Sequence, residues 1–167
     1  MPGAVKLTTI ELAKEAMKFS AGHFTIFSAT ERERLHGHNF SVQAHFTGEL
    51  DDNGMMGDYK LYKRLLLAQC EALDEYLLLP GRSPHLRLRD QGEHIIAEFA
   101  GEQLQFPRRD VLVLPIRNVT VEELAGLICA RLIDEAELPR KAPIHQLTVK
   151  VSSGPGQLGT ATWRRKP

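Results

Sequence analysis

Phe40, Val42, Ala44 and Phe46 alternate with Ser41, Gln43 and His45, so one side of this stretch is apolar and the other polar. That two-residue period belongs to a half-buried β-strand, and it commits the chain to a sheet whose apolar face must be covered. The spacing predicts a strand over Phe40–Leu50, stopped by the turn-forming Asp51-Asp52-Asn53-Gly54, and a shorter one over Ala16–Phe19. The cover comes from two helices. Asp58 opens the first, which runs to about Leu73 with Tyr59, Tyr62, Leu66, Gln69 or Cys70, and Leu73 along one face. Thr120 precedes Glu123 in a capping-box pattern and starts the second, whose stripe is Val121, Leu124, Ala125, Ile128 and Leu132. Pro139 and Pro143 bracket its end. Ile144–Val151 then alternates again, Gly154-Pro155-Gly156 turns, and Leu158–Trp163 returns as a last strand.

Between the helices lie three or four short β-like runs, His85–Arg89, His94–Phe99, Gln103–Phe106 and Val111–Leu114. The order predicts one α+β domain over 1–167: helices on one face of an antiparallel sheet, plus a β-rich insertion around 85–115. A chain of 167 residues is long enough to bury a real core.

The 21 basic and 21 acidic residues cancel, so no global field attracts nucleic acid or anionic lipid, and neither partner is expected. Residues 1–15 carry Lys6, Glu11, Lys14 and Glu15 without a long apolar run, so no secretory leader is expected either. No stretch approaches the ~20 apolar residues that span a bilayer. Cys70 and Cys129 fall inside predicted helices without metal-type spacing and read as buried free thiols of a reducing compartment. The expected location is the cytoplasm.

His36-Gly37-His38 carries the chemistry. In an extended segment, residues two apart share a face about 7 Å apart, and two imidazoles so placed can converge on a small cation. His23 follows the small residues Ser20-Ala21-Gly22 at the end of the first strand, and a hairpin with Phe40–Leu50 brings it to the same point. Three neutral imidazoles with an open fourth position make a catalytic rather than structural zinc site. His45, His85, His94 and His145, each alone, read as ordinary surface or hydrogen-bonded histidines.

The residues around these histidines sharpen the reading. Phe19-Ser20-Ala21-Gly22-His23, Leu35-His36-Gly37-His38-Asn39-Phe40, Gly54-Met55-Met56-Gly57-Asp58-Tyr59, Leu73-Asp74 and Asn118-Val119-Thr120-Val121-Glu122-Glu123-Leu124-Ala125 run in order along the chain. Together they resemble the 6-pyruvoyltetrahydropterin synthase and 6-carboxytetrahydropterin synthase family. The resemblance implies the T-fold, a four-stranded antiparallel sheet backed by two helices, with sheets closing a barrel in ring-shaped homo-oligomers. It implies zinc on His23, His36 and His38, a pterin site at a subunit interface, and lyase chemistry on the side chain of 7,8-dihydroneopterin triphosphate.

Where the family usually has a cysteine base, four residues before the first histidine of the His-Gly-His motif, this chain has Arg32. Glu33 stands one residue later and resembles the base of the subgroup in which glutamate replaces cysteine and the side chain is cleaved to 6-hydroxymethyl-7,8-dihydropterin. The bland alternative places it in a solvated charge run, Glu31-Arg32-Glu33-Arg34. The family's Leu-Asp-His relay is Leu73-Asp74-Glu75 here, leaving Asp74 and Glu75 as candidate acids or bases. The family's pterin-anchoring glutamate after the penultimate strand is missing, since no acidic residue follows Glu137. Ser152 and Ser153, with Thr120 and Glu122 at the second helix, remain candidate substrate contacts. Two alternatives stay open: a zinc enzyme on another heterocycle, and a non-catalytic, zinc-stabilised oligomeric ligand-binding protein.

Overall fold

A computed structural model describes residues 6–167. Its spine is the strand β3 (His36–Glu49), whose even-numbered residues Phe40, Val42, Ala44 and Phe46 are fully buried while the odd-numbered ones stay accessible. One edge of β3 pairs antiparallel with β9 (Ile144–Gly154), which pairs with β10 (Gln157–Arg164). The other edge is shared: β2 (Lys18–His23) pairs with its first half and β1 (Leu7–Leu12) with its second. The antiparallel four, β10-β9-β3-β2, are those the sequence leads one to expect, and β2 continues from Lys18 to His23 where the sequence suggested only Ala16–Phe19.

Beyond β2 the sheet turns parallel, through β4 (Tyr76–Pro80) and β8 (Val111–Leu114), giving a mixed sheet of seven strands among the described residues. Neither β1 nor β4 was expected. Tyr76-Leu77-Leu78-Leu79-Pro80 is an interior strand with apolar residues on both faces, so it shows no alternation to read. The insertion is therefore divided: β8 joins the main sheet, whereas β5 (Arg87–Asp90), β6 (His94–Phe99) and β7 (Glu102–Pro107) form a separate three-stranded antiparallel sheet.

The helices α1 (Tyr59–Glu71) and α2 (Val121–Ala130) cover the apolar face. Asp58 caps α1 by accepting the Lys60 amide, and the Thr120 hydroxyl caps α2 by accepting the Glu123 amide at 3.3 Å. The capping box is half built, because the Glu123 carboxylate binds the Arg117 amide and guanidinium instead of reaching back to Thr120. A π-helical turn, Arg131–Glu135, and the short α3 (Leu138–Lys141) lead into β9. Tyr62, Leu66, Leu73, Leu124 and Ile128 pack with Phe19, Phe40, Phe46, Val149 and Val151 in the main core. A second cluster, Phe24, Ile26, Leu79, Leu86, Ile95, Ala97 and Phe99, joins the small sheet to β4 and the segment after β2.

Helix α2 meets β10 at Gly159, where an added Cβ would sit 2.3 Å from the Val121 carbonyl carbon. Gly159→Ala is expected to lower stability by about 1–3 kcal/mol in chemical denaturation, as overpacking does. Gly126→Ala, on the same helix with open space around it, should leave stability unchanged or raise it by about 0.5–1 kcal/mol.

Candidate metal centre

In the β2–β3 ladder His23 stands directly opposite His36, and Ala21 opposite His38. The pleat points His23, His36 and His38 to the same side as Phe40, at the end of the apolar face. The ring centroids are 4.8, 5.2 and 4.7 Å apart in pairs, and one ligand nitrogen from each ring lies within 4.8 Å of the others. Gly22 and Gly37, paired with each other behind the rings, add no side chain to the opposite face.

Two backbone carbonyls set the tautomers. His23 Nδ1 lies 2.9 Å from the Val119 carbonyl and His36 Nδ1 2.7 Å from that of Arg34. A carbonyl only accepts, so each Nδ1 carries the proton and each Nε2 keeps its lone pair. His23 Nε2 is buried and has no hydrogen-bond partner among the described residues, and His36 Nε2 faces His38 Nε2 at 3.0 Å. A buried acceptor without a donor, beside two more ring nitrogens, is costly unless a cation binds them all. The residues fit a divalent metal ion on three imidazole nitrogens.

Glu33 belongs to the same site, its Oε2 lying 3.8 Å from His36 Nε2. It sits on a small hairpin after β2, where Glu33 donates its amide to the Thr25 carbonyl and its Oε2 accepts the Thr25 amide at 2.9 Å. Partial burial pushes the Glu33 carboxyl up, but hydrogen bonding to Thr25 and the imidazoles of His36 and His23 together pull harder, leaving it below its ordinary value. It is ionised at neutral pH.

The other candidates lie elsewhere. Asp74 accepts the Ser20 amide at 2.7 Å, and Glu75, at a left-handed φ of 62°, donates its amide to the Ser20 carbonyl. Both tie the end of α1 to β2. Glu75 lines a depression of about 470 Å³ together with Ser20, Gly22, Gly37, His38, Asn39 and Asp110. Thr120 caps α2 one residue beyond Val119, while Glu122 lines a different hollow with Arg82 and Arg131. The buried Ser152 hydroxyl is engaged with the backbone of Gly154, and Ser153 is half-buried beside it.

Sequence reasoning gave no role to Asn118, whose side-chain amide bonds both the N–H and the C=O of Ile26 and also accepts the Val119 amide. It brackets the Glu33 hairpin and the carbonyl that orients His23 in one clasp. The thiols are unavailable as substitutes: burial pushes Cys70 up to about 12 and Cys129 up to about 11.

Cobalt(II) titration of metal-stripped protein should give the absorption of a four-coordinate centre, lost in His23→Ala and His38→Ala. Asn118→Ala should weaken binding by about tenfold or more, as loss of support behind a metal ligand does. Burial, the largest influence, holds the His23 imidazole below 6.5 despite the opposing Val119 carbonyl; His36 and His38 add to the lowering. With the folded-state pKa depressed, this group's contribution to stability is complete above the unfolded value of 6.5 and drains as pH falls through the folded one. Urea unfolding of the metal-free protein should therefore show stability falling on acidification, with a shallower fall in His23→Phe.

The sequence matches the model of the family described as 6-pyruvoyl tetrahydropterin synthase over residues 11–162. It is 26% identical over 142 residues to an inferred 6-carboxy-5,6,7,8-tetrahydropterin synthase of Methanocaldococcus jannaschii, covering 84% of this chain and 86% of that protein. The crystal structure of 6-pyruvoyl tetrahydropterin synthase from Plasmodium vivax superposes with a TM-score of 0.89 at 26% identity, over 96% of this chain and 99% of that one. A variant of the same enzyme with a catalytic-residue glutamate changed to alanine superposes with a TM-score of 0.90, at the same identity and coverage. The fold is the α+β T-fold of these neighbours. The chain belongs to the 6-pyruvoyl tetrahydropterin synthase family.

Proposed function

We propose that this protein is a zinc-dependent lyase acting on the side chain of 7,8-dihydroneopterin triphosphate or a closely related pterin, with Glu33 as the general base. The observation that carries the reading is the Glu33 carboxylate, 3.8 Å from a nitrogen of the three-imidazole cluster. His23, His36 and His38 would hold the zinc through Nε2. The bound ion would supply Lewis-acid polarisation of the side-chain hydroxyls, which makes protons on their carbons easier to remove.

Glu33 does the rest of the proton work. It is ionised at neutral pH and so able to accept a proton, and the Thr25 amide fixes Oε2 in place. The usual cysteine of the family has no counterpart here, because Cys70 and Cys129 are both buried in the core. The Plasmodium vivax neighbour likewise carries a glutamate as its catalytic residue. With glutamate in the place of cysteine, as in the subgroup the sequence resembles, the expected product would be 6-hydroxymethyl-7,8-dihydropterin. Asp74 and Glu75, held at the Ser20 backbone, would serve as relay groups in a ring-shaped homo-oligomer. Thr120, Glu122, Ser152 and Ser153 would contact substrate there.

A second reading, a different heterocycle, is favoured by one observation: β9 ends in Ser152, Ser153 and Gly154, with the Ser152 hydroxyl turned to its own loop and no carboxylate to accept the paired donors of a pterin edge. Zinc-loaded protein incubated with dihydroneopterin triphosphate should release a side-chain-shortened pterin on chromatography. Glu33→Ala should cut turnover by about 100-fold or more. Absence of turnover, or an unchanged rate in Glu33→Ala, overturns the proposal. Stabilisation by a purine but not by any pterin in thermal-shift screening would favour the second reading.

A further inference from the structure

Arg32 occupies the position before the proposed base, yet it does not behave as part of a solvated charge run. Its side chain is only 16% exposed. The guanidinium carbon lies 5.0 Å from the ring centre of Phe24 and 5.8 Å from that of Phe99, so the cation is wedged between an aromatic residue just after β2 and one at the end of β6. One arm of the fork, Nη1, donates to the Glu33 carbonyl at 2.9 Å, and the other, Nη2, reaches Glu102 on β7 at 2.8 Å. Arg32 also closes the base of the hairpin by bridging antiparallel to Ile26.

These contacts are asymmetric in consequence. Glu102 is 63% exposed, so its ion pair with Arg32 is a minor source of stability. What the pair does is give direction, holding the guanidinium so that its other arm meets the backbone of Glu33. That backbone is then fixed from two sides, by Arg32 at the carbonyl and by Thr25 at the amide, while the carboxylate is fixed by the Thr25 amide. Glu33 has three side-chain torsions to restrain, and a displacement of about 1 Å in a reacting group can lower a rate by about 100-fold. We infer that Arg32 is a positioning residue, and that the β5-β6-β7 sheet is the brace from which it holds the Glu33 carboxylate against the imidazole cluster. The inference rests on the reading of Glu33 as the base.

Arg32→Met keeps much of the packing between the rings and removes every donor. Amide hydrogen exchange of the full-length variant should be about tenfold faster or more at Thr25 and Glu33, with β3 and β9 unaffected. Its kcat should fall by about tenfold or more, with metal content and KM kept. Arg32→Lys retains the charge but cannot reach Glu33 and Glu102 together, so it should lose less. In the Glu33→Ala background, Arg32→Met should cost nothing further, because a residue that acts through Glu33 has nothing left to position. Unchanged exchange at Thr25 and Glu33 overturns the clamp, and losses that multiply in the double variant overturn its action through Glu33. An unchanged rate in Glu33→Ala alone marks failure of the base assignment, which takes the catalytic part of the inference with it, while the exchange rates still decide the clamp.

Discussion

The register of the β2–β3 ladder is the constraint on which the site depends. His23 opposes His36, and His38 lies two residues along the same face. A slip of one residue would turn one strand's histidines to the opposite side of the sheet, and with them Phe19 or Phe40. The cost of exposing those aromatic residues therefore also fixes the imidazoles. Core packing and the convergence of the three imidazoles are enforced by one pattern, which is why the cluster forms at the rim of the apolar face rather than on a loop.

The two faces of the sheet divide the labour. The apolar face carries the core and, at its edge, three ring nitrogens and the Glu33 carboxylate. The other face is lined by Ser20, Asn39, Ser41, Gln43, Thr148 and Lys150. Asn118 and Arg32 then hold the hairpin that bears Glu33, the first from the entrance to α2 and the second from the small sheet. A part of the chain that contributes nothing to the main sheet thereby bears on the site's geometry.

What the sequence revealed follows periodicity and local chemistry. The alternation along β3, the caps at Asp58 and Thr120, and the shared face of His36 and His38 depend on neighbours a few residues away, and the structure has them all. The strand β4 was hidden because Tyr76–Pro80 is apolar on both faces and pairs in parallel across a long crossover. The run Glu31-Arg32-Glu33-Arg34 looks uniformly solvated in one dimension, yet the fold splits it into a largely covered cation and an ionised carboxylate beside the histidines. Nor could spacing show that Asp74 and Glu75 tie the end of α1 to the Ser20 backbone, since that depends on the left-handed backbone at Glu75 and on a contact 54 residues away in sequence.

The most direct test of the account is X-ray absorption at the zinc edge on protein loaded with one equivalent of zinc. The three-imidazole centre predicts three nitrogen scatterers at about 2.0–2.1 Å with the multiple-scattering signature of histidine, plus one light atom from solvent. A sulfur scatterer, or a shell without imidazole, would contradict it.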